Sequence, residues 1–187
     1  MKINLLQQVS AILITKEEHY PEVVLSHITS YGFGEIRILT HCDGIFWRFL
    51  KEPIYNNVYV QDDDCITPIE KIFEGYDGDK ITCGNTQHHI GFYANSKICL
   101  IGHGAFFPWH RVHVLEKYKT LFGFDSDYLI ETDRIFTFLN YPQKRIPIEV
   151  NHLPSSYNSD RLSMRTAHAA NLQAIEEKLI KHQYQLL

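Results

Sequence analysis

Two kinds of apolar pattern alternate along the chain. The first is a short, nearly unbroken run. Val9-Ser10-Ala11-Ile12-Leu13-Ile14-Thr15 predicts a buried strand, and residues 35–40 and 57–61 predict two more. The second has helical spacing. Residues 21–30 place Val24, His27 and Ile28 on one face with Tyr31 beyond, and Pro21 suits a first helical turn. A short helix opens at Pro68 and carries Ile69, Ile72 and Phe73. Pro108-Trp109 opens another, ended by Gly123, and Asp125 or Ser126 caps a third that stops before Pro142. Residues 80–83, 90–93 and 97–107 predict β structure, 145–150 a last strand, 154–160 a polar loop and 161–186 a C-terminal helix. Strands alternating with helices predict an α/β layer architecture, and no linker divides the chain.

Composition narrows the class without choosing an activity. The 187 residues suffice to bury a core without disulfides. Eighteen basic against 22 acidic residues give a net charge of −4, and no basic tract points to nucleic acid. The longest apolar runs fall far short of the ~20 residues of a membrane span. The first residues lack the apolar stretch of a signal peptide. Cys42, Cys65, Cys83 and Cys99 form no C-x-x-C pair. They read as free thiols in a reducing compartment, which predicts a cytoplasmic location.

The most informative feature is Asp62-Asp63-Asp64, directly after the apolar strand Val58-Tyr59-Val60. Adjacent carboxylates repel unless a cation offsets them. Ligands of open α/β sheets bind beyond the carboxyl ends of strands. Hard divalent cations take oxygen ligands and often share them with substrate phosphates. The triplet therefore predicts a Mg²⁺ or Mn²⁺ site facing a diphosphate. The plainer alternative is a solvated acidic turn before the helix at Pro68.

With the triplet in this context the chain resembles GT-A-fold glycosyltransferases. Ala11-Ile12-Leu13-Ile14-Thr15 and the helix after it resemble the nucleotide-sugar half of that fold. Tyr59 to Asp64 resembles its Asp-x-Asp motif, in a triple-Asp form similar to the exostosin-like transferases, and the order of motifs resembles exostosin-like and family-2-like transferases. Ile101 to Phe107, with Gly102 and Gly104, resembles the glycine-containing strand beside the sugar site. Glu131-Thr132-Asp133-Arg134 resembles the acidic motif opening a helix below the reacting sugar, and Leu162-Ser163 with His168 resembles a C-terminal Leu-Ser…His segment. Leu172 stands where the exostosin-like pattern has Arg, and Thr132-Asp133 where it has an acidic pair. The chain is also short for the fold.

The resemblance implies a mixed central sheet flanked by helices in one domain over 1–187, with residues 1–64 as the nucleotide-binding half and 65–187 as the acceptor and catalytic half. It implies transfer of a sugar from a nucleoside-diphosphate donor, most simply a UDP-sugar, to the hydroxyl of a glycan or other acceptor, with Mn²⁺ or Mg²⁺ as cofactor. Asp64 would be the principal metal ligand, with Asp62 at the metal or the ribose and Asp63 at ribose or sugar hydroxyls. His168 would complete the metal site or bind the diphosphate, with His152 as rival. Asp133 would be the catalytic carboxylate, with Glu131 as fallback. In an inverting reaction Asp133 takes the acceptor's proton; in a retaining one it stabilises the reacting centre or binds the acceptor. Thr15 and Glu17 would line the nucleotide pocket, Asp43 would meet the base, and Arg161 and Arg165 would clamp phosphate.

Each residue also has a plainer reading. Asp133 suits the first turn of a helix, His168 a helix face, and Arg161 and Arg165 solvated charge. His103, His110 and His113 invite a zinc reading but lack the Glu of H-E-x-x-H. His88-His89 reads as loop surface or acceptor contact. Trp109, Phe106 and Phe107 suit core packing better than a sugar platform. Two other functions share the architecture. A sugar-nucleotide nucleotidyltransferase would want a glycine-rich loop where Thr15-Lys16-Glu17-Glu18 stands. A non-catalytic nucleotide- or sugar-binding module would not need Asp133.

Overall fold

Strand β1 (Val9–Ile14) is buried along almost its whole length because it is covered on both sides and paired on both edges. It runs parallel to β2 (Glu35–Leu39), with Ile12 opposite Arg37, and parallel to β3 (Asn57–Gln61), with Ile12 opposite Val60. In the computed structural model, which describes residues 6–87, 93–154 and 168–186, these strands belong to a mixed six-stranded sheet. β6 (Ala105–Pro108) runs antiparallel to β3, β5 (Thr82–Asn85) antiparallel to β6, and β7 (Lys144–Pro147) parallel to β5. The order across the sheet is β2-β1-β3-β6-β5-β7. A separate two-stranded ribbon pairs β4 (Cys65–Ile66) with β8 (Asn151–His152).

Alternation along the strands sorts side chains into two cores. One face carries Ala11, Leu13, Tyr59 and Phe106, covered by α1 (Glu22–Thr29) through Val24 and Ile28 and by α2 (Ile69–Gly75) through Ile69 and Ile72. The other carries Ile12, Val58, Val60 and Phe107. It is covered by α3 (His113–Phe122), α4 (Ser126–Leu139) and α5 (His168–Leu186) through Leu115, Phe136, Ile175 and Leu179. Phe106 and Phe107 therefore point into opposite cores, fully buried, as their packing reading expects.

The helix signals place their elements closely. Asp125 caps α4, its carboxylate accepting the Tyr128 N–H, and the same carboxylate meets Lys178 of α5 at 2.9 Å. Gly123, at φ +70, ends α3. Glu176 fastens α5 to the sheet side by accepting from the Ser96 hydroxyl and the Lys97 N–H.

Two expectations are corrected. The continuous strand over 97–107 is not formed; only its last part is ladder. Ile98, Cys99 and Ile101 are wholly buried, yet the Cys99 N–H and carbonyl both bond the Thr137 hydroxyl of α4, and Gly104, at φ +100, turns the chain. Burial without a ladder reads like a strand in sequence. The strand expected over 145–150 stops at Pro147, and the chain pairs again only in β8. A 3₁₀ helix over Ile45–Phe49 crosses from β2 to β3. Of the C-terminal helix, the described part is α5; residues 161–167 lie outside the described residues.

Candidate functional site

β1, β2 and β3 are parallel, so their carboxyl ends lie along one edge of the sheet. Thr15 follows β1, and the triplet follows β3. The loops are bonded together there: the Cys42 N–H donates to the Thr15 carbonyl, and the His41 N–H to the Glu17 carbonyl. Glu17 and Asp43 are both exposed at this rim. Because β6 is antiparallel, the segment entering it also arrives at this edge, and the Asp62 N–H donates to the Gly102 carbonyl at 2.8 Å.

The three aspartates have three different surroundings. Asp63 is turned inward, 2 % exposed, and accepts from the Thr15 hydroxyl. Asp62 is partly open to solvent, and its carboxylate rests against Gly102, where any Cβ would collide with it. Asp64 is half-buried, and its carbonyl accepts the Leu153 N–H, tying the triplet to the chain after β8. Tyr20, buried, donates its hydroxyl to the Asp62 carbonyl.

The residue that joins the triplet to Asp133 is Arg48, which the sequence reading missed. It projects from the 3₁₀ helix and is fully buried. Its Nη1 meets Asp133 Oδ2 at 2.8 Å, and its Nη2 pairs with Asp62 Oδ1. A signal was present: Arg48 is the lone charge inside Ile45-Phe46-Trp47-Arg48-Phe49-Leu50. An arginine embedded in such a run is buried only when paired. It also lines an apolar cavity of about 200 Å³ with Ile12, Leu39 and Trp47, to which no member of the triplet contributes.

Asp133 lies on α4 just past Glu131, whose φ of −121 and ψ of 25 break the helix. It is 3 % exposed. Burial pushes its carboxyl up to about 7; Arg48 opposes this, and the charges of Asp62 and Glu131 add to it. Its Oδ1 is buried without a hydrogen-bond partner among the described residues. Glu131 is also buried, beside Arg134 at 3.1 Å, and burial raises its pKa. The structure therefore brings together Thr15, Asp62, Asp63 and Asp133 through one arginine and one hydroxyl.

The histidines are dispersed. His110, in the 3₁₀ turn Trp109–Val112, and His113, at the start of α3, are exposed. The ring of His103 stands edge-on to that of His152, centroids 5.0 Å apart, beside the triplet's flanking segments. His168 begins α5 and its side chain lies outside the described residues, as do Arg161, Arg165, His88 and His89. Among the described residues, no group of three or more His, Cys, Asp or Glu side chains is arranged to hold a metal by itself. No described helix is long and apolar enough to cross a membrane. No family model, curated protein or solved structure matches the chain.

Proposed function

We propose that this chain is a metal-dependent glycosyltransferase of the GT-A type, acting on a nucleoside-diphosphate sugar. The observation that carries this reading is the Asp62–Arg48–Asp133 bridge at the carboxyl edge of β1–β3. It couples the acidic triplet to one buried carboxylate whose pKa is near neutrality. The mixed sheet, with three parallel strands followed by an antiparallel neighbour, supports the reading as an architecture suited to a nucleotide at that edge.

The donor set fits a hard divalent cation. The available side chains at the turn are carboxylates, and Mg²⁺ or Mn²⁺ takes one or two of these plus substrate phosphates. Asp64 and Asp62 would hold the ion, and His168 or His152 is the further ligand the reading allows. When bound, the cation neutralises negative charge on the leaving diphosphate. Asp63 and Thr15 hold the turn in shape. Glu17 and Asp43 stand at the rim where a ribose and base would lie. Asp133 is the proton acceptor for the acceptor hydroxyl in an inverting transfer; a carboxylate near pH 7 is matched to that task. Arg48 fixes the direction of its Oδ2, leaving Oδ1 for the reaction once the site opens to the acceptor.

The direct test is release of nucleoside diphosphate from a panel of UDP- and GDP-sugars with Mn²⁺. The expected result is metal-dependent release that falls about 10²–10⁴-fold in Asp133→Asn. Release unchanged in that variant would remove Asp133 from the chemistry.

A further inference from the structure

Beneath α4, away from the edge just described, two cysteines meet in the core. Cys83 lies in β5 and Cys99 in the buried segment before β6; neither has any exposed surface. Their Sγ atoms are 3.0 Å apart, the Cys83 thiol donating to the Cys99 sulfur. Both are anchored by backbone. Cys83 pairs with Ala105 and with Arg145 in the sheet, and Cys99 is held on both its N–H and its carbonyl by Thr137. The other two thiols have only oxygen neighbours. Cys42 faces the carbonyls of Leu39 and Thr40, and Cys65 faces the Thr67 hydroxyl and the Gly102 carbonyl. The fold thus singles out one pair of the four.

We propose that Cys83 and Cys99 form a cystine site, which closes to an intramolecular disulfide when the chain folds in the presence of a small-molecule disulfide. The Sγ atoms need to approach by only about 1 Å to reach the ~2.05 Å of the bond. The exchange balances as two thiols and one disulfide giving one protein disulfide and two small thiols. A thiolate first attacks the small disulfide and expels one thiol, and the second cysteine then displaces the other. Burial raises the pKa of Cys99 well above its ordinary value, so the exchange belongs to the folding chain, before the pair is closed into the core. The bond spans 16 positions in sequence and ties β5 to the segment held by Thr137, one turn beyond Asp133.

The test is to refold the reduced, full-length chain in reduced and oxidised glutathione, alkylate it, and digest it without reduction. The expected result is one peptide pair, lighter by two hydrogens, joining Cys83 to Cys99, with Cys42 and Cys65 alkylated. The Tm of the oxidised protein should exceed that of the reduced by roughly 5–10 °C. Cys42→Ser/Cys65→Ser should form the same bond. If the chain does not refold from full denaturation, protein loosened in sub-denaturing urea with the same glutathione pair is read in the same way. Four alkylated thiols at excess oxidant, a bond involving Cys42 or Cys65, or glutathione left on Cys83 or Cys99 would each overturn the proposal. None of these outcomes depends on the glycosyltransferase reading.

Discussion

Arg48 and Asp133 are 85 positions apart in sequence and 2.8 Å apart in the core. The pair is held from opposite directions, Arg48 by a 3₁₀ helix after β2 and Asp133 by α4. Removing one partner of a buried pair leaves a charge without compensation, typically at about 3–5 kcal/mol. Arg48→Met should lose stability on this scale at pH 8, measured by urea unfolding. The loss should shrink at pH 5, where Asp133 is protonated. Arg48→Lys keeps the charge but cannot reach two carboxylates with one planar fork, and should fall between the two. Equal losses at both pH values would show that the pairing contributes little.

The pH dependence of stability follows from Asp133. Its folded pKa, about 7, is above the ordinary carboxylate value because it is buried. The folded state therefore holds a proton that the unfolded chain gives up at lower pH. This contribution is complete below about pH 4 and is lost as pH rises through about 7. Glu131, raised by the same cause, acts with the same sign. Asp133→Asn should flatten the decline between pH 4 and 7. An unaltered slope would contradict the assignment.

Gly102 sets the position of Asp62. In Gly102→Ala the new methyl collides with the Asp62 carboxylate, which must shift from its place beside Arg48. Overpacking of this kind costs about 1–3 kcal/mol. Under the proposed function, metal-dependent nucleotide affinity should drop further than this stability loss explains. Calorimetry on the folded variant checks it.

Asp125 joins three elements by capping α4, accepting the Tyr118 hydroxyl and pairing with Lys178. Loss of an N-cap costs roughly 1 kcal/mol. Asp125→Ala should lose this much in thermal unfolding, while Lys178 keeps its 2.7 Å pair with Asp127.

Much of the framework was legible because strands covered on both faces must be apolar throughout. β1 and β3 carry that pattern openly, and the cap at Asp125 and the stop at Gly123 mark the helix ends. Ile98 to Ile101 has the same composition for a different reason, since the Cys99 backbone at its centre is satisfied by the Thr137 hydroxyl, a partner no local pattern reveals. The triplet stood out as charge, but its division of labour did not. Whether Asp63 faces in or out depends on Thr15, 48 positions away. Arg48 could be read as buried from its apolar surroundings, though its two partners come from distant segments and only the fold brings them together.

Under the proposed function, the triplet carries metal-dependent nucleotide binding. Calorimetric titration of UDP into the protein, with Mn²⁺ and then with EDTA, tests it most directly when repeated on Asp64→Ala. Binding should require both the metal and Asp64, with GDP replacing UDP if the donor carries guanine. Neither nucleotide binding with Mn²⁺, or binding that survives both EDTA and Asp64→Ala, would contradict it.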